Sequence, residues 1–381
     1  MLIDNLWLGG AERLLVALAT NLPQDRYDVA VCVTRAPRTD REAVEEQQLA
    51  VLDEGGVRHF CLHRRHAADL PAFRSLFTVL RRERVDVLHA HMFGSNLWGT
   101  LFGRLARTPV VIAHEHTWSY EGRPLRKFLD GYFIGRFASA FTCGSTFDRS
   151  RMIELEGVPP HKAVVIPNAY FPRPDRDGDL RGELGIEAGT PLVGTVAVIR
   201  PQKALEVMVD AFALCLRRVP DARLVIGGDG QCLPDLKLRA RGLGIADRIH
   251  FIGERDDINV VLEGIDVAGM SSDFEATSLF ALECMAYGVP LVATGVGGLL
   301  DILEDGKHAL LVPPRDPESM ARALEELLTD PDRRVQLATA ARERLADFTL
   351  ERFVGRYDEL YQRLLEESTA RARLPAHAGE G

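Results

Sequence analysis

Long hydrophobic runs are missing from this chain. Nowhere do about 18 apolar residues follow one another, the length a helix needs to cross a bilayer, so no membrane span is expected. Nothing after Met1 reads as a signal peptide, because folded-looking sequence starts at once. Cysteine is sparse: Cys32, Cys61, Cys143, Cys215, Cys232 and Cys284 form no C-x-x-C pair and mostly sit in apolar runs. That favours buried thiols in a reducing cytoplasm over disulfides or zinc. A basic excess is lacking too. The net charge is −9, and residues 171–381 hold 25 basic against 36 acidic side chains, which argues against nucleic-acid binding. Residues 1–170 are near neutral, with 21 basic and 19 acidic, a balance that suits an anionic surface or substrate. Short-period repeats are absent.

What is present is an ordinary soluble composition, 46% hydrophobic and 27% charged, in 381 residues, enough for two domains. Strand-like runs alternate with helix-like ones. DVAVCVT (28–34), VRHFCL (57–62), DVLHAH (86–91), PVVIAHEH (109–116), AFTCGS and AVVIPN (163–168) read as buried strands. Helical stretches separate them, among them Asp40–Glu54 and a basic, aromatic segment at Pro124–Phe137. MLI reads as the tail of a first strand and is expected to be clipped, since a central strand needs about five residues. The pattern stops at Ala169–Asp179, where two prolines mark a linker, and then restarts through Leu350–Glu367. The expected fold is α/β, with two parallel-sheet, Rossmann-like domains. They cover 1–172 and 173–348, a last helix (349–368) crosses back to the first domain, and a disordered tail (369–381) follows.

Open parallel sheets bind ligands at the carboxyl ends of their strands, and five loops stand there. Gly9–Gly10 is either a tight turn or an anion site at a helix start. His114-Glu115-His116 ends a strand, and a histidine there could bind substrate or hydrogen-bond a developing charge. As a metal motif it offers two histidines on one face and no evident third ligand, although His89 and His91 repeat the spacing. Arg200-Pro-Gln-Lys203 is surface charge or a phosphate grip. Gly227–Gly230 is first a turn. In SSDFEATSLFALECMAYGVPLVATGVG (271–297) a helix starts near Thr277–Ser278, with Glu275 in the loop before it and Glu283 inside. The helix N-terminus favours phosphate. Glu283 lies among apolar neighbours, and a buried carboxylate needs partners such as hydroxyls.

In their order and spacing these stretches resemble the family-4 retaining glycosyltransferases of GT-B fold, the glycogen-synthase-like group 1 enzymes. The segments that carry the resemblance are GGAER, IPN, VGTVAVIRPQKALEVMVDAF, LVIGGDG, RIHFIGERDDI, the 271–297 stretch and ALLVPP, with the Glu275-x7-Glu283 spacing as its best element. The resemblance implies two domains facing a cleft, with a nucleotide-sugar held mostly by the second. It puts Arg200, Lys203 and the backbone amides of Leu279 and Phe280 on the pyrophosphate, Glu283 on the ribose and Glu275 on the donor sugar. Gly253 and Glu254 would lie by the base, Gly9 and Gly10 on the phosphates, and His116 would face the reacting sugar. The last helix would pack through Phe353, Tyr357 and Tyr361. The chain departs from the family pattern at Ala197 and Val198, where Gly-Arg is usual, at Ala276, where glycine is usual, and in its short first strand.

The implied activity is metal-independent transfer of a hexose from a nucleotide-sugar, UDP- or GDP-linked, to a glycan or lipid-linked glycan, as in cell-surface polysaccharide synthesis. No cofactor is implied, since the nucleotide-sugar is a substrate. The leaving diphosphate would be stabilised electrostatically, with front-face attack and no covalent carboxylate. Arg123, Arg126, Lys127 and Arg136, interleaved with Phe128, Tyr132, Phe133 and Phe137, form either an ordinary amphipathic helix or a peripheral contact with the cytoplasmic membrane face. Rival readings are a nucleotide-sugar binding protein without turnover, and a GT-B epimerase or phosphorylase.

Overall fold

A computed structural model of the chain describes residues 1–7, 9–36, 42–116, 124–172 and 175–373. The chain divides into two compact units, Met1–Ala169 with Leu350–Gly381, and Tyr170–Thr349.

The first unit is built on a seven-stranded parallel sheet. Its strands are β1 (Leu2–Ile3), β2 (Ala30–Val33), β3 (Arg58–Cys61), β4 (Val87–His91), β5 (Val110–Glu115), β6 (Ala140–Cys143) and β7 (Ala163–Val165), in the order β3-β2-β1-β4-β5-β6-β7. The second unit holds a six-stranded parallel sheet. Its strands are β8 (Leu192–Val196), β9 (Arg223–Gly227), β10 (Ile249–Gly253), β11 (Val267–Met270), β12 (Leu291–Thr294) and β13 (Leu310–Val312), in the order β10-β9-β8-β11-β12-β13. Both sheets reverse their winding beside their first strand, at β1/β4 and at β8/β11. That switch point is where the chain leaves a crevice at the carboxyl ends of two neighbouring strands.

Helix-covered parallel strands are apolar on both faces. In the second unit Phe212, Leu224 and Met320 pack on one side of the sheet, and Leu282, Met285 and Leu291 on the other, all buried. Full burial of one such side chain stabilises by roughly 2–3 kcal/mol, so these layers hold the strand ends in place.

Several boundaries differ from expectation. β1 is only two residues long, yet it lies between β2 and β4, with Leu2 opposite Cys32 and Ala90. The segment Pro124–Phe137 is not one α-helix: Leu129–Ile134 is a π-helix between two short α-helical pieces. A Cβ at Gly131 would lie 1.7 Å from the Glu156 carbonyl, so the wide turn sets backbone against backbone. The C-terminal helix runs Leu350–Arg373 and so passes the Thr369 boundary expected for a disordered tail. Thr369 Oγ1 donates to the Leu365 carbonyl (2.9 Å) within that helix. Residues 374–381 lie outside the described residues, as do Asp40 of the expected Asp40–Glu54 helix, which here spans Glu42–Glu54, and residues 173 and 174 of the linker.

Candidate functional site

At the second switch point, two loops leave β8 and β11 side by side and are tied together. Ser271 Oγ donates to the carbonyls of Lys203 (3.1 Å) and Ala204 (3.0 Å). The amide of Asp273 donates to the Gln202 carbonyl (2.9 Å), and Gln202 Nε2 returns to the Phe274 carbonyl (2.9 Å). Arg315 closes the outer side with ion pairs to Asp273 and Glu206.

Lys203 and Glu275 meet inside this frame. Lys203 Nζ donates to Glu275 Oε1 at 2.5 Å, and Ser272 Oγ donates to the same oxygen at 2.6 Å. Thr294 Oγ1 holds the Ser272 carbonyl from β12 (2.6 Å). Sequence reasoning separated the two groups, one for phosphate and one for sugar; folded, they form an ion pair. Arg200 is half-buried beside them, and its Nε is buried with no hydrogen-bond partner among the described residues. Burial pulls its guanidinium below the usual range, and the charge of Glu275 opposes that shift. A buried cation with an unsatisfied donor is costly unless an anion arrives.

The helix after this loop is Leu279–Tyr287. Ser278 caps it, its Oγ accepting from the Ala281 amide (3.4 Å). The amides of Leu279 and Phe280 precede the first intrahelical bond, at the positive end of the helix. Glu283, one turn on from Leu279, is 6% exposed. Gly297 passes close beneath the loop with φ +54°, and a Cβ there would stand 2.2 Å from the Glu275 carbonyl, which accepts from the Gly298 amide (2.8 Å). Ala276 therefore belongs to a loop braced by backbone on its inner side.

The glycines after β9 prove to be packing glycines. Gly228 (φ +117°) and Gly230 (φ +153°) would place a Cβ 1.9 Å from the Ala197 carbonyl and 2.3 Å from that of Ile199. They let the Arg200 loop lie flat on its neighbour, through Ala197 N to Gly227 O and Ile199 N to Asp229 O. Gly253 ends β10 at the sheet margin with φ +70°, and Gly253 and Glu254 are exposed on the same carboxyl edge.

In the first unit Gly9 caps the helix Gly10–Asn21. A Cβ on Gly9 would meet the Glu12 carboxylate at 2.3 Å. Burial pushes the Glu12 carboxyl up to about 7, with its own backbone amide pulling the other way. Asp4, which sequence reasoning did not single out, is the hub at the end of β1. It accepts from Thr34 Oγ1 (2.8 Å) and Ser95 Oγ (3.1 Å), and pairs with Arg64 (3.0 Å). Its position directly after a central strand is the signal that was available.

His116, half-buried just past β5, lies with its Nε2 2.9 Å from His91 Nδ1. Burial pushes its imidazole down to about 3, so it is neutral. The H-x-H pairs meet because the register sets His91 opposite His114. Tyr361 OH reaches His89 Nδ1 (2.7 Å) and Tyr357 OH reaches His114 Nδ1 (3.0 Å), so the C-terminal helix reads both strands. Phe353 is buried beside Tyr357. Glu115 points to the opposite face and pairs with Arg126 (3.1 Å), which also approaches Asp130 (3.6 Å). Burial, reinforced by Glu115 and Glu156, pushes the Asp130 carboxyl up to about 9.

Arg126 is therefore not part of the basic patch in which the sequence placed it: its side chain is 12% exposed and its guanidinium lies over the Phe93 ring. Phe133 is also half-buried against the core, and Arg123 lies outside the described residues.

The geometry can be set beside known proteins. Residues 177–344 match the model for glycosyl transferases group 1, and residues 8–170 that for Glycosyltransferase Family 4. The UDP-Gal:alpha-D-GlcNAc-diphosphoundecaprenol alpha-1,3-galactosyltransferase of Escherichia coli is 25% identical, over 93% of this chain and 94% of its own. The D-inositol 3-phosphate glycosyltransferase of Stackebrandtia nassauensis is 30% identical, over 77% and 74%. Among solved structures, Anabaena Alr3699/HepE in complex with UDP and glucose superposes with a TM-score of 0.80 at 21% identity, covering 95% of this chain and 98% of that one. With paired parallel sheets, both family models in sequence and relatives similar over most of their length, this chain is a glycosyltransferase of GT-B fold and belongs to family 4.

Proposed function

We propose that the second unit holds a nucleotide-sugar by its diphosphate, at Arg200, Lys203 and the amides of Leu279 and Phe280, and that the protein transfers the hexose with retention. The observation that carries this is the buried, unpartnered Nε of Arg200 beside Lys203, in loops tied together just before a helix N-terminus. These four donors suit the charge that grows on a leaving diphosphate, and held in place they need no reorganisation as it forms. Lys203 keeps two N–H groups for phosphate while the third stays on Glu275, whose other oxygen accepts from a sugar hydroxyl. Glu283 holds the ribose, with Gly253 and Glu254 toward the base. His116, neutral, offers a hydrogen bond to the reacting sugar without adding charge. This scheme uses neither a metal nor a cofactor.

The name of the Escherichia coli relative supports a UDP-sugar donor and a lipid-linked glycan acceptor. A peripheral contact with the cytoplasmic membrane face fits such an acceptor. Leu125, Phe128, Tyr132 and Phe137 are 69%, 54%, 67% and 47% exposed, with Lys127 and Arg136 exposed among them. Apolar residues mixed with basic ones bind an anionic bilayer surface. No described helix is long and apolar enough to cross one.

The test is calorimetric titration with UDP-, GDP- and ADP-sugars, repeated on Lys203→Ala and Glu283→Ala. Both variants should weaken the best donor by more than about 1.4 kcal/mol, tenfold. Unchanged affinity in both removes the site; tight binding with neither transfer nor slow hydrolysis makes the protein a binder without turnover. Sedimentation with anionic vesicles checks the surface. Phe128→Glu should abolish co-sedimentation, and equal binding by variant and wild type would exclude the patch.

A further inference from the structure

His89, His91 and His114 stand on one face of the first sheet, each 1% exposed. Side chains alternate along a strand, so His89 and His91 share that face, and parallel pairing adds His114 beside His91. Ring centroids are 4.1 Å apart for His89–His91, 5.1 Å for His91–His114 and 5.6 Å for His89–His114. One ring nitrogen from each lies within 4.8 Å of the other two.

The hydrogen bonds divide each ring into a used and an unused nitrogen. Nδ1 of His89 meets Tyr361 OH, Nδ1 of His114 meets Tyr357 OH, and Nδ1 of His91 meets His116 Nε2. The Nε2 atoms of all three are buried and have no hydrogen-bond partner among the described residues. A buried polar atom without a partner is costly, and three on one sheet face are hard to reconcile with a core that only needs filling. A neutral imidazole carries one ring lone pair, and with Nδ1 engaged as the N–H that lone pair falls to Nε2.

We propose that His89, His91 and His114 bind one divalent transition-metal ion of the zinc class through Nε2, as a structural site of the first unit. Imidazole suits such ions, and three histidines with a water complete four-coordination. Bonds of about 2.0–2.1 Å require the rings to close in slightly from their present spacing, by small side-chain rotations. With Nε2 on the metal, every Nδ1 carries its proton. His89 then donates to Tyr361 Oη, His114 to Tyr357 Oη and His91 to His116 Nε2. These are the outer partners that orient metal-bound imidazoles. His114 is further fixed through its backbone, its carbonyl accepting from Asn96 Nδ2 (3.0 Å) and its amide donating to Asn96 Oδ1 (3.1 Å). The ion would clamp the C-terminal helix to β4 and β5 and set His116 with its lone pair on Nε2. It takes no part in the transfer step proposed above, and its occupancy is independent of that reading.

The experiment uses the full untagged chain, expressed in minimal medium with zinc or with cobalt as the added ion. About one equivalent of metal per chain is expected. The cobalt form should show the strong visible bands of four-coordinate nitrogen-bound Co2+. His89→Gln and His114→Gln should lose the metal and the bands, and Tyr361→Phe should weaken affinity by about 10–100-fold with the ligands intact. Should the histidine variants fail to fold, wild type and Tyr361→Phe still decide. Substoichiometric metal with no bands in wild type means a buried water at most and overturns the proposal, as do variants that bind like wild type.

Discussion

The two sheets share one winding order around their switch points, yet their carboxyl edges carry different chemistry. In the second unit the edge is ionic. Arg200 and Lys203 face Glu275 beside a helix N-terminus, and the loops are braced by backbone against backbone at Gly228 and Gly297. In the first unit the ion pairs Asp4–Arg64 and Glu115–Arg126 stand beside groups kept neutral: four histidines are held uncharged by burial, and Glu12 is half protonated near pH 7. The lesson is that topology chooses where a ligand site stands, and the few residues after each strand choose what it binds.

The comparison can be broken at its glycines first. Gly228→Ala forces a Cβ 1.9 Å from a carbonyl at φ +117°, with only backbone to yield, and should cost about 3 kcal/mol or more of the second unit's stability. Gly9→Ala meets only the end of the Glu12 side chain, which can swing away, so thermal melts should show a much smaller loss. Similar melting temperatures for the two variants would end the distinction.

Glu12 tests the neutral edge almost as strongly. Its folded pKa, about 7, stands above the ordinary 4.5, so burial imposes no penalty while both states are protonated, below about pH 4.5. The penalty grows as pH rises from there to 7 and is full above it. Glu12→Gln should therefore be more stable than wild type by about 3 kcal/mol at pH 8, a gain that vanishes near pH 4.5. Urea denaturation across that range measures it, and a pH-independent difference between variant and wild type would contradict it.

On the ionic edge, Glu275→Gln keeps an acceptor oxygen for Lys203 but removes the negative charge that pairs with it. Affinity for a nucleoside diphosphate without sugar should then rise or hold, while kcat/KM for the sugar-bearing donor falls by about 10–100-fold, roughly 1.4–2.7 kcal/mol. A parallel fall in both would mean that Glu275 only supports the loop. The smallest effect is expected at Tyr357→Phe, which loses the buried hydrogen bond to His114 and the longer one to Thr142 Oγ1 (3.4 Å), together about 1 kcal/mol by denaturant titration.

Much of this arrangement was legible in the residues. Alternating apolar runs and helical stretches announced parallel sheets, and every expected strand between 28 and 312 is present, usually trimmed by a residue or two at its ends. Lys203, Glu275, the helix start and Glu283 were legible because strand-end position and helix spacing are local properties. The basic segment misled because a helical pattern cannot say which cation turns inward. Arg126 is drawn to the buried carboxyl groups of Glu115 and Asp130, and the π-helix at Leu129–Ile134 answers to contact with Glu156, a residue far along the chain. Asp4 gave little notice, because its partners Thr34, Arg64 and Ser95 come from two other loops and the helix Phe93–Ala106.

By itself the sequence determined the order of elements, the apolar strands and the stretches that meet a ligand edge, since these depend on residues a few positions apart. Only the tertiary structure decided that Lys203 pairs with Glu275, and that two separate H-x-H pairs become one cluster under Tyr357 and Tyr361. Those facts depend on strand register and on the return of a C-terminal helix. Burial then sets the charge of each group, and no local pattern encodes it.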